Sequence, residues 1–184
     1  MILPHHFKNI SKKVSEIALP IFPHISSKKL KSEILSNLFE SQTAIYYNSI
    51  GIPTKSTKND REPDIYFLKD NKPLEIKVTG VDEEIVSSVK WMGGKYSKRT
   101  SDYALVMWHY QEEHNTLYGI QKEHLKFAIV STHIDQEEWK EVDNGNNNYY
   151  ATVIRSEDIL EKDHKMLVGK RLGRNIILEE IDSR

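Results

Sequence analysis

The fold that we expect is decided by the sequence REPDIYFL at residues 61–68, together with LEIKVT at residues 74–79. Both segments are rich in β-branched and aromatic residues, which favour strands. Asp70 and Asn71 lie between them, and these residue types tolerate the positive φ angles of a tight turn. The sequence therefore predicts a β-hairpin.

The alternation of side chains along this hairpin brings three charged residues together. If Asp70 and Asn71 form the whole turn, Tyr66 faces Glu75 and Asp64 faces Lys77. Because successive side chains point to opposite faces, Glu75 and Lys77 share a face, and Asp64 joins them. A register slip of one residue would send Asp64 to the other face.

The chemistry of this trio suggests a metal site. Two carboxylates a few ångströms apart repel each other, and a hard divalent cation such as Mg²⁺ relieves the repulsion through oxygen ligands and bound water. A nearby ammonium group can position a water or neutralise a phosphate. The alternative interpretation is an ordinary solvated hairpin face that carries mixed charges.

Pro63-Asp64, ten intervening residues and Glu75-Ile76-Lys77 together resemble the signature of the PD-(D/E)XK nucleases. The resemblance implies an α/β, restriction-endonuclease-like core in which a mixed central β-sheet is flanked by helices. It implies that Asp64 and Glu75 hold Mg²⁺ with the Ile76 carbonyl, while Lys77 orients or activates the attacking water. It also implies a further glutamate from the preceding helix, for which Glu40 is the favoured candidate and Glu33 the second.

Composition bounds the remaining possibilities. The chain has 184 residues, no cysteine and a net charge of −1. This length suits a single domain over residues 1–184, and we expect a cytoplasmic protein because no signal peptide, membrane-spanning run or disulfide chemistry is visible. A near-neutral charge means that any contact with nucleic acid comes from a local basic surface.

Two helices are predicted before the hairpin. Apolar residues at helical spacing lie between Pro4 and Pro20, so residues 1–26 contain either an N-terminal arm or a helix packed on the core. Ser26 or Ser27 caps a longer helix that runs to about Ser49, and this helix carries both Glu33 and Glu40.

Basic and hydroxyl residues around the hairpin are candidates for contacts with a DNA backbone. They occupy the loop before it and the glycine-containing segment after it, which lacks acids from residue 85 to 101. The candidates are Lys55, Lys58, Lys90, Lys95, Ser97, Lys98 and Arg99. A mobile, solvated loop is the alternative for the second segment.

The rest of the chain predicts further elements of an α/β fold. We expect a helix over residues 83–90, a strand buried on both faces over 103–108 and a strand over 127–133. A hairpin is predicted around Asn144-Gly145, followed by a helix from Ser156 to about Leu167 and a closing strand over 175–178.

The function expected from the resemblance is that of a Mg²⁺-dependent type II restriction endonuclease within a restriction-modification system. Such an enzyme cleaves double-stranded DNA at a short specific sequence, leaving 5′-phosphate and 3′-hydroxyl ends. A homodimer without a membrane or small-molecule cofactor is expected, since two-fold symmetry matches a palindromic site. The alternatives are a junction resolvase or nicking enzyme of the same fold, a catalytically inactive DNA-binding protein, and an interaction domain unrelated to nucleic acid.

Overall fold

The computed structural model describes residues 2–57, 62–93, 100–115, 120–142, 151–155 and 159–181. Five of the predicted DNA-contact residues and the predicted Asn144-Gly145 turn lie outside the described residues. Those five are Lys58, Lys95, Ser97, Lys98 and Arg99. No helix in the described ranges is long and apolar enough to cross a membrane.

Both helices predicted ahead of the hairpin are present. Helix α1 (Pro4–Ala18) buries one face in the core, so it packs against the domain and does not extend away as an arm. Helix α2 (Lys28–Ser49) begins at Ser27, whose hydroxyl accepts a hydrogen bond from the backbone N–H of Leu30 at 3.2 Å. It ends before Gly51, whose φ of 78° lies in the left-handed region that favours glycine.

The described residues also form thirteen strands. In chain order they are β1 (Thr54–Ser56), β2 (Ile65–Phe67), β3 (Lys72–Gly80), β4 (Ile85–Val86), β5 (Lys90–Gly93), β6 (Ser101–Asn115), β7 (Ile120–Ile134), β8 (Lys140–Val142), β9 (Ala151–Arg155), β10 (Lys165–Val168), β11 (Lys170–Leu172), β12 (Asn175–Ile177) and β13 (Glu179–Glu180).

The central sheet is mixed, as predicted. Its strand order is β1-β2-β3-β6-β7-β10, and β13 adds to β7. Strands β3 and β6 run parallel, whereas the other neighbours in this sheet are antiparallel. The predicted run at residues 103–108 is fully buried within β6, in the middle of the sheet.

The two faces of the central sheet are covered differently. Phe7, Leu35 and Phe39 of α1 and α2 pack on one face. The other face is covered by two three-stranded sheets, β11-β12-β4 and β5-β9-β8, through residues such as Trp91 and Ile176. The fold is therefore mixed α/β with a mixed central sheet, and in the described residues both long helices lie on one face of that sheet.

Two of the predicted helices are replaced by extended chain. Residues 83–90 include strand β4, whose Ile85 and Val86 pair with Ile177 and Ile176 of β12. Residues 165–168 form β10 on the edge of the central sheet, where a helix was expected to continue. In both places, pairing with a distant strand outweighs the local helical pattern. The paired strands bury Ile176 of β12 and Leu167 and Val168 of β10.

Helix α2 is fixed along the second half of β3. Lys28 Nζ lies 2.6 Å from a carboxylate oxygen of Asp82, just beyond the strand. The indole Nε1–H of Trp108, on the neighbouring strand β6, donates to the Ser32 hydroxyl at 3.1 Å. Both contacts lie near the start of the helix, beside the end of β3, where Gly80 pairs with Trp108.

Candidate active site

The register of the β2–β3 hairpin decides where Asp64 lies. Ile65 pairs with Leu74 and Phe67 pairs with Lys72, so the loop contains residues 68–71 and not only the two residues predicted. Asn71 has a φ of 49°, as expected of a turn residue. The predicted pairing was therefore wrong by two residues, but a shift of two preserves the face of every side chain, because the side-chain period is also two.

Asp64 lies just beyond the last paired residues of the hairpin, where β2 separates from β3. Its carboxylate Oδ2 accepts a hydrogen bond from the Ile76 N–H at 2.7 Å. Its own backbone N–H donates to Glu75 Oε2 at 3.3 Å. These two bonds lock the Asp64 and Glu75 carboxylates next to each other, as the sequence pattern predicted.

Lys77 completes the predicted trio. Its Nζ lies 2.5 Å from Glu75 Oε1, and the two side chains are 22% and 14% exposed. One ammonium therefore faces two adjacent carboxylates at a largely buried position. The carboxylate that Lys77 does not neutralise therefore belongs to a largely buried site and not to a solvated surface.

The electrostatic consequence appears at Asp64. Burial, followed by the negative charge of Glu75, raises the pKa of the Asp64 carboxyl to about 7. The hydrogen bond from Ile76 and the charge of Lys77 oppose this rise without cancelling it. Simultaneous ionisation of both carboxylates is therefore disfavoured, and a bound cation would favour it.

Helix α2 brings a third carboxylate to the trio. Glu40 is half-buried, and its Oε1 accepts a hydrogen bond from the Ser36 hydroxyl at 3.1 Å. Burial raises the Glu40 pKa, and the charge of Glu75 adds to the rise. Glu33 is exposed and lies 3.8 Å from Lys29, so the geometry favours Glu40 over Glu33 as the helix residue beside the site.

The backbone of Ile76 also faces the carboxylates. Its side chain is buried in the core, while its N–H points at Asp64. In an extended strand the N–H and C=O of one residue point to the same side, so the Ile76 carbonyl is directed toward Asp64 as well. Asp64, Glu75 and this carbonyl are hard oxygen donors of the kind that Mg²⁺ prefers.

The donor set of Asp64, Glu75 and the Ile76 carbonyl can be compared with what Mg²⁺ requires. Mg²⁺ needs only one or two protein carboxylates, since it retains several of its waters. The residues present therefore suit this cation.

Sequence reasoning missed two neighbours of the site. Tyr103 is buried beside Glu75 in the parallel β3–β6 register and packs against Trp139, with ring centroids 5.6 Å apart. Burial and the charges of Glu75 and Asp64 raise the Tyr103 pKa. The second missed residue is Ser36, whose hydroxyl donates a hydrogen bond to Glu40. The position of Tyr103 depends on pairing between distant strands, so no local pattern marks it. Ser36 lies four residues before Glu40 on the same helix, and this spacing is a local signal that could have identified it.

Two of the predicted DNA-contact residues can be placed. Lys55 is exposed on β1, the edge strand that pairs with β2. Lys90 is exposed at the start of β5, on the strand that leads toward residues 94–99. Both lysines belong to elements that neighbour the hairpin in the chain.

Comparison with known proteins adds no relative to this description. The chain matches no protein-family model, no curated protein and no solved structure.

Proposed function

We propose that this chain is a Mg²⁺-dependent endonuclease that hydrolyses phosphodiester bonds in double-stranded DNA. The observation that carries the proposal is the pair of adjacent, largely buried carboxylates of Asp64 and Glu75 with an ammonium at 2.5 Å from one of them. Such a cluster costs folding free energy unless a cation binds, so its presence favours a functional role over a structural one.

Each residue has a distinct task in this proposal. Asp64, Glu75 and the Ile76 carbonyl would hold Mg²⁺, which when bound supplies positive charge for the attacked phosphate and lowers the pKa of a bound water. Glu40 would contribute through further ligand water. Lys77 would hold the attacking water in line with the scissile bond and stabilise its deprotonated form.

The reaction that follows is hydrolysis. The water oxygen bonds to phosphorus, the bond between phosphorus and the 3′ oxygen breaks, and that oxygen takes up a proton. The products are a 5′-phosphate and a 3′-hydroxyl. Within this chemistry we favour a type II restriction endonuclease that acts as a homodimer on a short palindrome, because a two-fold dimer places one active site on each strand.

A junction resolvase or nicking enzyme of the same fold is the alternative, and the two make different products from ordinary DNA. The test is digestion of a plasmid of known sequence with and without Mg²⁺. Discrete linear fragments with 5′-phosphate ends support a restriction enzyme. Nicked circles, or cleavage confined to a four-way junction, support the alternative.

The same assay separates enzyme from binding protein. Asp64→Asn removes one proposed ligand with little change of shape, and Asp163→Asn makes the same chemical change at an exposed position outside the site. We expect cleavage by the wild type and by Asp163→Asn but not by Asp64→Asn. Duplex binding without cleavage at any Mg²⁺ or Mn²⁺ concentration would indicate an inactive DNA-binding protein. Absence of salt-dependent binding to DNA would reject both the endonuclease and the inactive DNA-binding protein.

A further inference from the structure

The hairpin formed by β11 and β12 lies in a basic segment that the proposed active site does not use. Residues 164–178 contain four lysines and arginines but no aspartate or glutamate. Those four are Lys165, Lys170, Arg171 and Arg174. Leu172 pairs with Asn175, so the hairpin turns through only two residues, Gly173 and Arg174. Gly173 has a φ of 60°, which permits this tight turn.

The register of the small sheet β11-β12-β4 separates its two faces. Arg171, Ile176 and Val86 form one row, and Ile176 is buried against the core. Side chains alternate, so the rows on either side point away from the core. The outward face therefore carries Leu172 and, two residues away along β11, the row of Lys170, Ile177 and Ile85. Arg171 leaves the edge strand β11 from the opposite face and is exposed.

This outward face exposes apolar surface. Leu172 is 67% exposed and Ile85 is 54% exposed. The Arg171 Nε–H donates to the Gly173 carbonyl at 2.9 Å, which fixes the guanidinium beside the turn. Lys170 lies 3.0 Å from Glu179, so the positive charge at the tip comes mainly from Arg171 and Arg174.

The small sheet lies on the same side of the molecule as the proposed active site. Ile176 and Leu178 pack in one cluster with Tyr103, and Tyr103 is the parallel neighbour of Glu75. Paired residues of adjacent strands point to the same face, so Glu75 and the small sheet share one face of the central sheet.

The distance between the two features suits one duplex. Lys77 and Ile85 are eight residues apart in the chain, which limits their separation to about 27 Å. That is roughly the length of eight base pairs at 3.4 Å per base pair. A duplex seated on the active site can therefore reach the small sheet within a single helical turn.

We propose that the β11–β12 hairpin is a second DNA-contact element, in which Arg171 at the exposed edge and Arg174 in the turn bind backbone phosphates. This inference rests on the proposed endonuclease function. Guanidinium groups suit phosphates because they present several N–H donors in a fixed plane.

The positive charge of the tip selects this partner over others. A second copy of the same hairpin would bring like charges together, which opposes self-association through this face. A polyanion such as DNA is attracted by both arginines at the same time.

The experiment measures binding of a fluorescent duplex by anisotropy across a salt series, with Ca²⁺ in place of Mg²⁺ to limit cleavage. Each lost phosphate contact lowers the slope of log affinity against log salt by roughly 0.9. We therefore expect the Arg171→Ala, Arg174→Ala double variant to lower the slope by about 2 and to weaken binding. We expect Leu172→Ala to leave the slope unchanged, since it removes no charge.

The control is the Lys8→Ala, Lys13→Ala double variant, which removes the same charge from exposed positions of α1 on the opposite side of the central sheet. It should leave the slope and the affinity unchanged. Circular dichroism of all variants verifies that they are folded.

Four outcomes are distinguishable. A slope change confined to the arginine variant supports the hairpin. Equal slopes for the wild type and the arginine variant, with plasmid cleavage intact, overturn the hairpin but not the endonuclease. A wild type that neither binds nor cleaves DNA overturns both. A Leu172→Ala variant that changes the oligomeric state in light scattering overturns the DNA contact, because the apolar face then joins copies of the chain.

Discussion

Replacing Asp64 by Asn should make the metal-free protein more stable, although it should abolish activity. The pKa of the Asp64 carboxyl rises from 3.8 to about 7 on folding, because burial and the Glu75 charge disfavour its ionised form. An acid whose pKa is raised in the folded state weakens that state as pH climbs through the interval between the two values. Above pH 7 the full penalty applies.

The magnitude follows from the shift. Each pKa unit corresponds to about 1.4 kcal/mol, so the whole difference has an upper limit of ~4 kcal/mol. Asn keeps an acceptor for the Ile76 N–H but adds an amide that needs partners of its own, which takes back part of the gain. We expect a net stabilisation of ~2 kcal/mol at pH 8, or roughly 4–8 °C in Tm for a chain of this size.

The assay is thermal or urea unfolding in EDTA at pH 8 and at pH 4.5, with Asp163→Asn as the matched control. The advantage of Asp64→Asn should be largest at pH 8 and should shrink toward pH 4.5, where the wild-type carboxyl is protonated. Added Mg²⁺ should raise the Tm of the wild type only, because binding to the folded state alone stabilises it. An Asp64→Asn variant that is less stable than the wild type at pH 8 would refute the reasoning.

Three further variants test the surroundings of the site. Lys77→Ala should retain duplex binding but lose activity by about 10²-fold or more, and an equal loss of both in paired anisotropy and cleavage assays would argue against a role in the chemical step. Ser36→Ala should raise the Mg²⁺ concentration that cleavage requires by about tenfold, because Glu40 loses the hydrogen bond that positions it. Ser41→Ala on the exposed face of α2 is the control. Unchanged Mg²⁺ titrations would remove Ser36 from the site. Gly80→Ala should cost roughly 1–3 kcal/mol in urea unfolding, because the added Cβ would lie 2.8 Å from the Trp108 ring, and a wild-type midpoint would contradict the packing described.

Local patterns in the sequence determined several elements of the fold. The helical spacing after Pro4, the cap at Ser27 and the glycine at position 51 predict α1 and α2, and both are present. The apolar run at residues 103–108 predicts a strand buried on both faces, which is found at the centre of the sheet. These features depend on neighbours within a few residues, so a single sequence contains them.

The charged trio was also visible in the sequence, but for a limited reason. The predicted hairpin register was wrong by two residues, and Asp64 still lies beside Glu75 because the side-chain period of a strand is two. The alternating pattern fixed the face of each side chain. The contact itself depends on the observed register. In it the Asp64 N–H donates to the Glu75 carboxylate, and the Ile76 N–H donates to the Asp64 carboxylate.

Tertiary structure alone decided the rest. Residues 85–86 became a strand because β12 supplies a pairing partner more than eighty residues further along the chain. Helix α2 brought Glu40 and not Glu33 to the site, since burial of Leu35 and Phe39 in the core sets the rotation of the helix. The raised pKa of Asp64 likewise arises from burial and from charges on separate elements. Such properties are sums over groups that meet only after folding, and no local pattern in the chain contains them.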